Sequence, residues 1–206
     1  MTTSYILGLD LGQAHDYTAL VILEKHQNGS HLPDYHARHI ERYQLGTPYP
    51  VMVEQVCRTY GHPLLRTSER TRVVDYTGAG RPVADLLKPC GPITVSIHGG
   101  DTVHRTGRHY RVPKRDLVSV AQVLLQQRRL KLAEALPLTP VLEQELLSFR
   151  MKIDPLTAHD SYSAWRERDH DDLVLATALA VWWGEKGPKP GRVALIDLPQ
   201  PKPWWL

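Results

Sequence analysis

Residues 5–25 read YILGLDLGQAHDYTALVILEK and contain two apolar runs separated by a short polar turn. The first run, residues 5–11, has the length of a strand that is buried on both faces, and the second, residues 18–25, is rich in β-branched side chains. Residues 34–43 alternate only loosely, but two strands joined by a short turn make a third antiparallel neighbour the economical interpretation. The pattern predicts a three-stranded meander.

The rest of the chain alternates between helical and extended patterns. Apolar spacing predicts a crossover helix over 50–60, and strands follow at 72–76 and 93–98. This order predicts an α/β fold with a mixed sheet of about five strands, part antiparallel meander and part parallel, flanked by helices. Pro and Gly predominate after residue 186, so we expect a domain over 1–186 and a Pro-rich C-terminal tail over 187–206. The other predicted elements are helical turns over 81–88, a hairpin over 102–112, and helices over 114–127, 139–147 and 169–183.

The composition excludes several classes of protein. The chain of 206 residues is 42% hydrophobic, which is enough to bury a core in one domain. Cys57 and Cys90 are too few for a disulfide framework or a cysteine-built zinc site, and they favour a reducing, cytoplasmic setting. No apolar run reaches the roughly 18 residues of a membrane span, so we expect no membrane partner. The GxxxxGK[ST] pattern of a P-loop ATPase does not occur.

Two aspartates lie where burial should exclude a charge. Asp10 sits between leucines in the first strand, where a carboxylate costs several kcal/mol unless a positive or hydrogen-bonding group meets it. Gly8 and Gly12 leave room there for a ligand or another backbone, and turn amides that satisfy the carboxylate are the alternative. Asp75 ends a strand just before the TGAG of residues 77–80, at the edge of the sheet where ligands collect. An Asx-type turn is the alternative at that position.

The third acidic position is the DHDD of residues 169–172, which opens an otherwise apolar helix. Asp169 as the N-cap, with acids in the first turn, would favour the helix dipole without any ligand. Because the helix is apolar on all sides, periodicity leaves open whether Asp171 or Asp172 faces the sheet. If the three acidic positions converge, their charges repel, and divalent cations resolve that conflict. Oxygen ligands without cysteine indicate Mg²⁺ or Mn²⁺.

Basic residues are concentrated in residues 105–131, where the single acid is Asp116. A hairpin followed by a helix would lay them along a duplex backbone, where each phosphate contact adds salt dependence rather than sequence reading. A solvated basic face is the alternative. The segment contains Arg105, Arg108, Arg111, Lys114, Arg115, Arg128, Arg129 and Lys131.

Histidines are frequent in the predicted second and third strands. His26, His31, His36 and His39 suggest a metal patch. On a regular strand, however, a spacing of three puts His36 and His39 on opposite faces, so we interpret these histidines as solvated.

Four segments of the chain, in their order and spacing, resemble the nuclease domain of tailed-phage terminase large subunits. That family has a ribonuclease H-like fold and is related to Holliday-junction resolvases. By this resemblance, Asp10 matches the first-strand metal ligand, Asp75 the second acidic position, the pair Asp171 and Asp172 the final one, and Asp16 an accessory acid. The matching segments are YILGLDLGQAHDYTALVIL (5–23), VVDYTGAGRPVADLL (73–87), YRVPKRDLVSVAQVLLQ (110–126) and HDDLVLATALAVWW (170–183).

The resemblance implies a Mg²⁺- or Mn²⁺-dependent endonuclease that cuts double-stranded DNA with little sequence specificity by two-metal phosphodiester hydrolysis. It implies that Asp10 bridges the metals, that Asp75 holds one, and that Asp172, with or without Asp171, holds the other. It also implies bacteriophage DNA packaging in the host cytoplasm, with a packaging ATPase domain, the portal or the small terminase subunit as partners. Because the chain begins with Met one strand before the nuclease motif, we expect an excised domain or a stand-alone relative.

Two alternatives remain open from the sequence. A junction resolvase of the same fold would act as a two-fold dimer that cuts two strands symmetrically. A non-catalytic module would keep the basic face and bind DNA without cutting it.

Overall fold

The computed structural model describes residues 2–12, 16–29, 31–77, 80–152 and 171–188. Its strands are β1 (Thr2–Asp10), β2 (Ala19–Gln27), β3 (Asp34–Arg42), β4 (Glu69–Asp75), β5 (Ile93–His98), β6 (His104–Thr106), β7 (His109–Pro113) and β8 (Leu130–Lys131). Its helices are α1 (Tyr49–Tyr60), α2 (Pro63–Arg66), α3 (Gly80–Leu86), α4 (Lys114–Gln126), α5 (Thr139–Lys152) and α6 (Asp172–Lys186), with a 3-10 turn at Lys88–Cys90. Within the described ranges, no helix is long and apolar enough to cross a membrane.

All the strands join one mixed sheet in the order β6-β7-β5-β4-β1-β2-β3-β8. β1, β2 and β3 form the predicted antiparallel meander, and β4, β5 and β7 run parallel to β1. The predicted α/β mixed sheet is therefore confirmed.

The predicted count of about five strands was wrong, because the sheet has eight. The predicted hairpin over 102–112 is present as β6 and β7, and it adds two strands to the sheet because β7 also pairs with β5. β8 has two residues, too few to show a periodic pattern. The predicted C-terminal tail lies outside the described residues from residue 189 onward.

The two faces of the sheet bury separate clusters of side chains. Alternate residues of β1 point to opposite faces, so Ile6 packs with α4 and α6 while Leu7 and Leu9 pack with α1 and α3. α6 is buried along most of its length, from Asp172 to Trp182, which explains why its sequence is apolar on all sides. The sheet therefore carries α6 as a central helix on one face, directly over β1.

Glycines at two positions of β1 and its turn make room for neighbouring backbone. A Cβ at Gly8 would lie 1.8 Å from the carbonyl oxygen of Ala176, so α6 approaches β1 more closely than any side chain would allow. A Cβ at Gly12 would lie 2.2 Å from the carbonyl oxygen of Asp16. The sequence allowed either a ligand or another stretch of backbone beside Gly8 and Gly12, and the structure shows backbone at both.

We expect Gly8→Ala to destabilise the protein by about 1–3 kcal/mol or more, because the added methyl group forces α6 away from β1. The measurement is the free energy of unfolding in denaturant. Gly99→Ala is the matched control, since a Cβ there meets nothing within 4 Å. Equal stabilities of the two variants would contradict the close packing of α6 on β1.

Candidate metal centre

The parallel pairing of β1 with β4 brings two of the predicted aspartates together. Leu9 lies opposite Val74, so Asp10 and Asp75 are the next residues at the carboxyl ends of adjacent strands. Both point to the face that α6 covers, because they lie two residues after Gly8 and Val73 respectively. Asp10 is 7% exposed and Asp75 is 2% exposed.

The N-terminus of α6 brings two more carboxylates to the same place. α6 begins at Asp172 with Asp171 as its N-cap residue, which is later than the predicted start at Asp169. Asp172 is 3% exposed, whereas Asp171 is half-buried. Asp10, Asp75, Asp171 and Asp172 all line one cavity of about 40 Å³, and the exposed Asp16 lies at its edge. Asp169 lies outside the described residues.

The Asx-type turn that the sequence allowed after β4 is present. Asp75 Oδ1 accepts a hydrogen bond of 2.9 Å from the backbone N–H of Thr77. The Thr77 hydroxyl donates to the same oxygen and accepts a bond of 2.8 Å from the backbone N–H of Ile97. Asp75 therefore forms the turn and lines the cavity at the same time, because the turn holds its carboxylate at the cavity wall.

The electrostatics of the cavity disfavour full ionisation. Burial raises the pKa of Asp10 well above its ordinary value, and the carboxylates of Asp75, Asp171 and Asp172 raise it further. Like charges packed this closely keep a proton or require a cation between them. The cluster is therefore a candidate binding site for a divalent cation.

Sequence reasoning missed two residues that fix the start of α6. Glu145 of α5 accepts hydrogen bonds from the backbone N–H groups of Leu173 at 3.1 Å and Val174 at 3.2 Å. Its other oxygen pairs with Arg42, and Arg42 Nε lies 2.7 Å from Asp172 Oδ2. Arg42 therefore connects Asp172 to Glu145, and the pair sets where the Asp172 carboxylate points.

The position of Arg42 follows from the register of the meander. Arg42 lies opposite Ala19, and Ala19 lies opposite Asp10, so the three residues form a row across the sheet. The guanidinium of Arg42 also lies 4.8 Å from the ring centre of Tyr17. Prediction of the strand register in the meander would have placed Arg42 beside the site. No local pattern in α5, however, distinguishes Glu145 from the exposed Glu143.

The basic residues predicted to contact DNA divide between opposite ends of the sheet. A row of paired residues runs from Asp75 through Val95 and Tyr110 to Arg105. Since neighbouring strands are about 4.8 Å apart, Arg105 lies about 14 Å from Asp75 along the row. Four residues of this group are exposed, whereas Lys114 is buried. The exposed four, which we call the hairpin arginines, are Arg105, Arg108, Arg111 and Arg115.

The remaining bases of the segment lie beside β8, which pairs with the start of β3 and so lies far from the carboxylates. Arg128 and Lys131 are exposed there, and Lys131 pairs with Asp34 at 2.8 Å. Arg129 is 8% exposed, and its guanidinium binds Glu185 at 2.6 Å and the carbonyl oxygen of Pro33 at 2.8 Å. Arg129 therefore holds the protein together, and this corrects its assignment to a DNA-binding face.

A family model described as the terminase RNaseH-like domain matches residues 7–182 of the chain. The chain therefore belongs to the terminase RNaseH-like domain family. This identification agrees with the resemblance seen in the sequence, and it identifies the mixed sheet as ribonuclease H-like. No curated protein sequence matches the chain.

Two solved structures share the fold at low sequence identity, and a third aligns more weakly. The large terminase nuclease from the thermophilic phage G20c aligns with a TM-score of 0.56 at 18% identity, over 89% of this chain and 82% of that one. The human cytomegalovirus terminase nuclease domain aligns with a TM-score of 0.50 at 16% identity, over 88% of this chain and 82% of that one. A Mn-soaked, inhibitor-bound structure of the cytomegalovirus domain aligns with a TM-score of 0.47 at 14% identity, over 89% and 85%.

Glu145 gives the protein a pH dependence that a variant can isolate. Burial, and then the charge of Asp172, raise the pKa of Glu145 from 4.5 to about 7. The folded protein therefore keeps this proton up to about pH 7, whereas the unfolded chain releases it near pH 4.5. The contribution of Glu145 to the free energy of unfolding is therefore fully present below pH 4.5 and is lost as the pH rises to 7.

We expect Glu145→Gln to reduce that loss by about 2 kcal/mol, because glutamine keeps the hydrogen-bond acceptor and cannot ionise. The measurement is the free energy of unfolding between pH 4.5 and pH 7 in EDTA, over the window set by the two pKa values. The exposed Glu143→Gln serves as the control. An unchanged pH slope in Glu145→Gln would contradict the placement of Glu145 against α6.

Proposed function

We propose that the chain is a Mg²⁺- or Mn²⁺-dependent endonuclease that hydrolyses phosphodiester bonds of double-stranded DNA with little sequence specificity. The observation that carries the proposal is the cavity in which Asp10, Asp75, Asp171 and Asp172 meet at the ends of two strands and a helix. Membership of the terminase RNaseH-like family supports DNA as the substrate. The buried positions of three of these carboxylates support a role in holding charge, since burial without a partner would destabilise the fold.

The donor set fits a hard divalent cation. The charged or polar side chains at the cavity are carboxylates and the Thr77 hydroxyl, with no histidine or cysteine among the described lining residues. Oxygen donors of this kind suit Mg²⁺ and Mn²⁺ rather than structural zinc. A water-sized species needs about 10–15 Å³, so the cavity of about 40 Å³ is large enough to admit species of that size.

When bound, a pair of such cations activates the attacking water and neutralises charge on the leaving oxygen of the scissile phosphate. In our proposal Asp10 would hold the cations together with the other carboxylates that line the cavity. Asp75, which the Thr77 turn holds, supplies one side of the site, and Asp172, which Arg42 orients, supplies the other. The half-buried Asp171 and the exposed Asp16 complete the site from its mouth.

The hairpin arginines provide the surface for the DNA backbone in this proposal. Arg105 belongs to the same row across the sheet as Asp75, and its side chain is directed to the same face. Contacts to phosphates position a duplex without reading its sequence, which is consistent with a nuclease of low specificity. In phage DNA packaging, a chain with this activity would supply the cleavage step beside a packaging ATPase domain, the portal and the small terminase subunit.

We expect Asp10→Asn and Asp75→Asn each to reduce nicking of supercoiled plasmid by about 100-fold or more, equivalent to about 2.7 kcal/mol of transition-state stabilisation. An amide occupies the same space but brings no charge to the cations. The assay compares Mg²⁺, Mn²⁺ and EDTA, and circular dichroism verifies folding.

Asp85→Asn is the matched control, because Asp85 is an exposed aspartate that pairs with Lys88. Wild-type nicking rates in both Asp10→Asn and Asp75→Asn would reject the assignment of the site. DNA binding by a wild-type protein that cuts with neither metal would instead favour the non-catalytic module. Preference for four-way junctions over linear duplex, together with a dimeric mass, would favour the resolvase.

The variant Arg105→Ala tests the DNA surface, because Arg105 is directed to the same face of the sheet as Asp75, whereas Arg111 is directed to the other face. Loss of one phosphate contact should reduce the magnitude of the slope of log K against log salt by about 0.9. The measurement is fluorescence anisotropy with duplex DNA at several salt concentrations, in the Asp10→Asn background to prevent cutting. Arg128→Ala is the control at the opposite end of the sheet, and an equal loss of slope in that variant would contradict the proposed surface.

A further inference from the structure

An irregularity in the meander changes which histidines share a face. Leu23 lies opposite Ala37, but the preceding residue, Ile22, lies opposite His39, so Arg38 is an extra residue in β3. Such a β-bulge shifts the alternation of side chains by one position. The prediction that His36 and His39 lie on opposite faces was therefore wrong, because the bulge brings them to the same face. His31 is exposed as expected.

Two of these histidines meet a half-buried carboxylate, that of Glu24, at the far end of the meander. His36 pairs across the strands with Glu24, and His26 follows Glu24 by two residues, so the three side chains share a face. The ring centres of His26 and His36 are 4.5 Å apart, and His26 Nε2 lies 3.3 Å from Glu24 Oε2. One ligand atom from each side chain lies within 4.8 Å of the other two.

This combination of donors matches a known class of metal site. Two imidazoles and one carboxylate bind Zn²⁺ with a fourth position left for water. Around a tetrahedral ion with bonds of about 2.1 Å, ligand atoms lie about 3.4 Å apart, so small side-chain rotations would close the observed spacing. His26 Nδ1 is buried and has no hydrogen-bond partner among the residues that the structure describes. His39 does not join the group, because its Nε2 lies 3.0 Å from Glu41.

The positively charged side chain of Arg38 competes with a metal ion for the Glu24 carboxylate. Arg38 Nε pairs with Glu24 Oε2, while the hydroxyl of Tyr5 lies 3.4 Å from Glu24 Oε1. The Arg38 side chain is 50% exposed, so it can move into water at little cost when a metal binds. Arg38 is thus a displaceable occupant of the site.

We propose that Glu24, His26 and His36 form a binding site for one borderline divalent cation such as Zn²⁺, independent of the carboxylate centre. Ala19 lies opposite Asp10, and Glu24 follows Ala19 by five residues on β2, so the two sites are about 17 Å apart along the strand. A cation bound there ties β2 to β3 at the end of the sheet that is remote from the carboxylates.

The experiment titrates Zn²⁺ into the full chain against a chromophoric chelator, with Mg²⁺ in excess. Mg²⁺ occupies oxygen sites and competes poorly for imidazole or thiolate, so the titration reports sites with nitrogen or sulfur donors, and the histidine variants distinguish the two. We expect one Zn²⁺ per chain, with affinity lowered at least about tenfold in His26→Ala and His36→Ala. Arg38→Ala should bind more tightly because it removes the competitor. His31→Ala, an exposed histidine of the same hairpin, should match the wild type.

A second measurement does not depend on the folding of the variants. Co²⁺ bound to the wild-type chain should give the visible absorption of a tetrahedral site, and one equivalent of Zn²⁺ should abolish it. The proposal is overturned if the wild type gives no such band, or if His26→Ala and His36→Ala bind Zn²⁺ as the wild type does. Loss of binding in His31→Ala equal to that in His36→Ala would also overturn it.

Discussion

The carboxylates of Asp10, Asp75, Asp171 and Asp172 repel one another in one small cavity, and the contacts around that cavity must hold them in place. Asp10, Asp75 and Asp172 are almost fully buried, and each comes from a different element. Burial and the neighbouring acids raise the pKa of Asp10. Ionisation of all the carboxylates at once therefore costs free energy. A fold that keeps such a cluster must hold it in place by other contacts, and the proposed cations would relieve the repulsion.

Those other contacts surround the cavity. Gly8 lets α6 lie directly on β1, so the first turn of the helix reaches the end of the strand. Arg42 and Glu145 form a bridge from β3 to α5 that meets Asp172 and the first amides of α6. The Thr77 turn fixes Asp75. The carboxylates are therefore positioned before any ligand arrives, which is the preorganisation that electrostatic catalysis requires.

The sequence revealed features that depend on local pattern and missed those that depend on register. Apolar runs interrupted by Asp10 and Asp75 identify strands with charged ends, because a carboxylate among buried residues is conspicuous in the sequence itself. Three other features depend on segments that are distant in the sequence. They are the bulge at Arg38, the row across the sheet that contains Arg42, and the pairing of β7 with β5. For the same reason the basic segment looked continuous, although the sheet separates Arg105 from Arg128 and buries Arg129.

Diffraction at the manganese absorption edge from a crystal soaked in Mn²⁺ tests whether the buried carboxylates form a metal site. We expect anomalous peaks inside the cavity, with oxygen atoms of Asp10, Asp75 and Asp172 as ligands, and the same map shows whether Asp171 takes part. Manganese bound elsewhere, or a cavity without a peak at saturating Mn²⁺, would contradict this expectation.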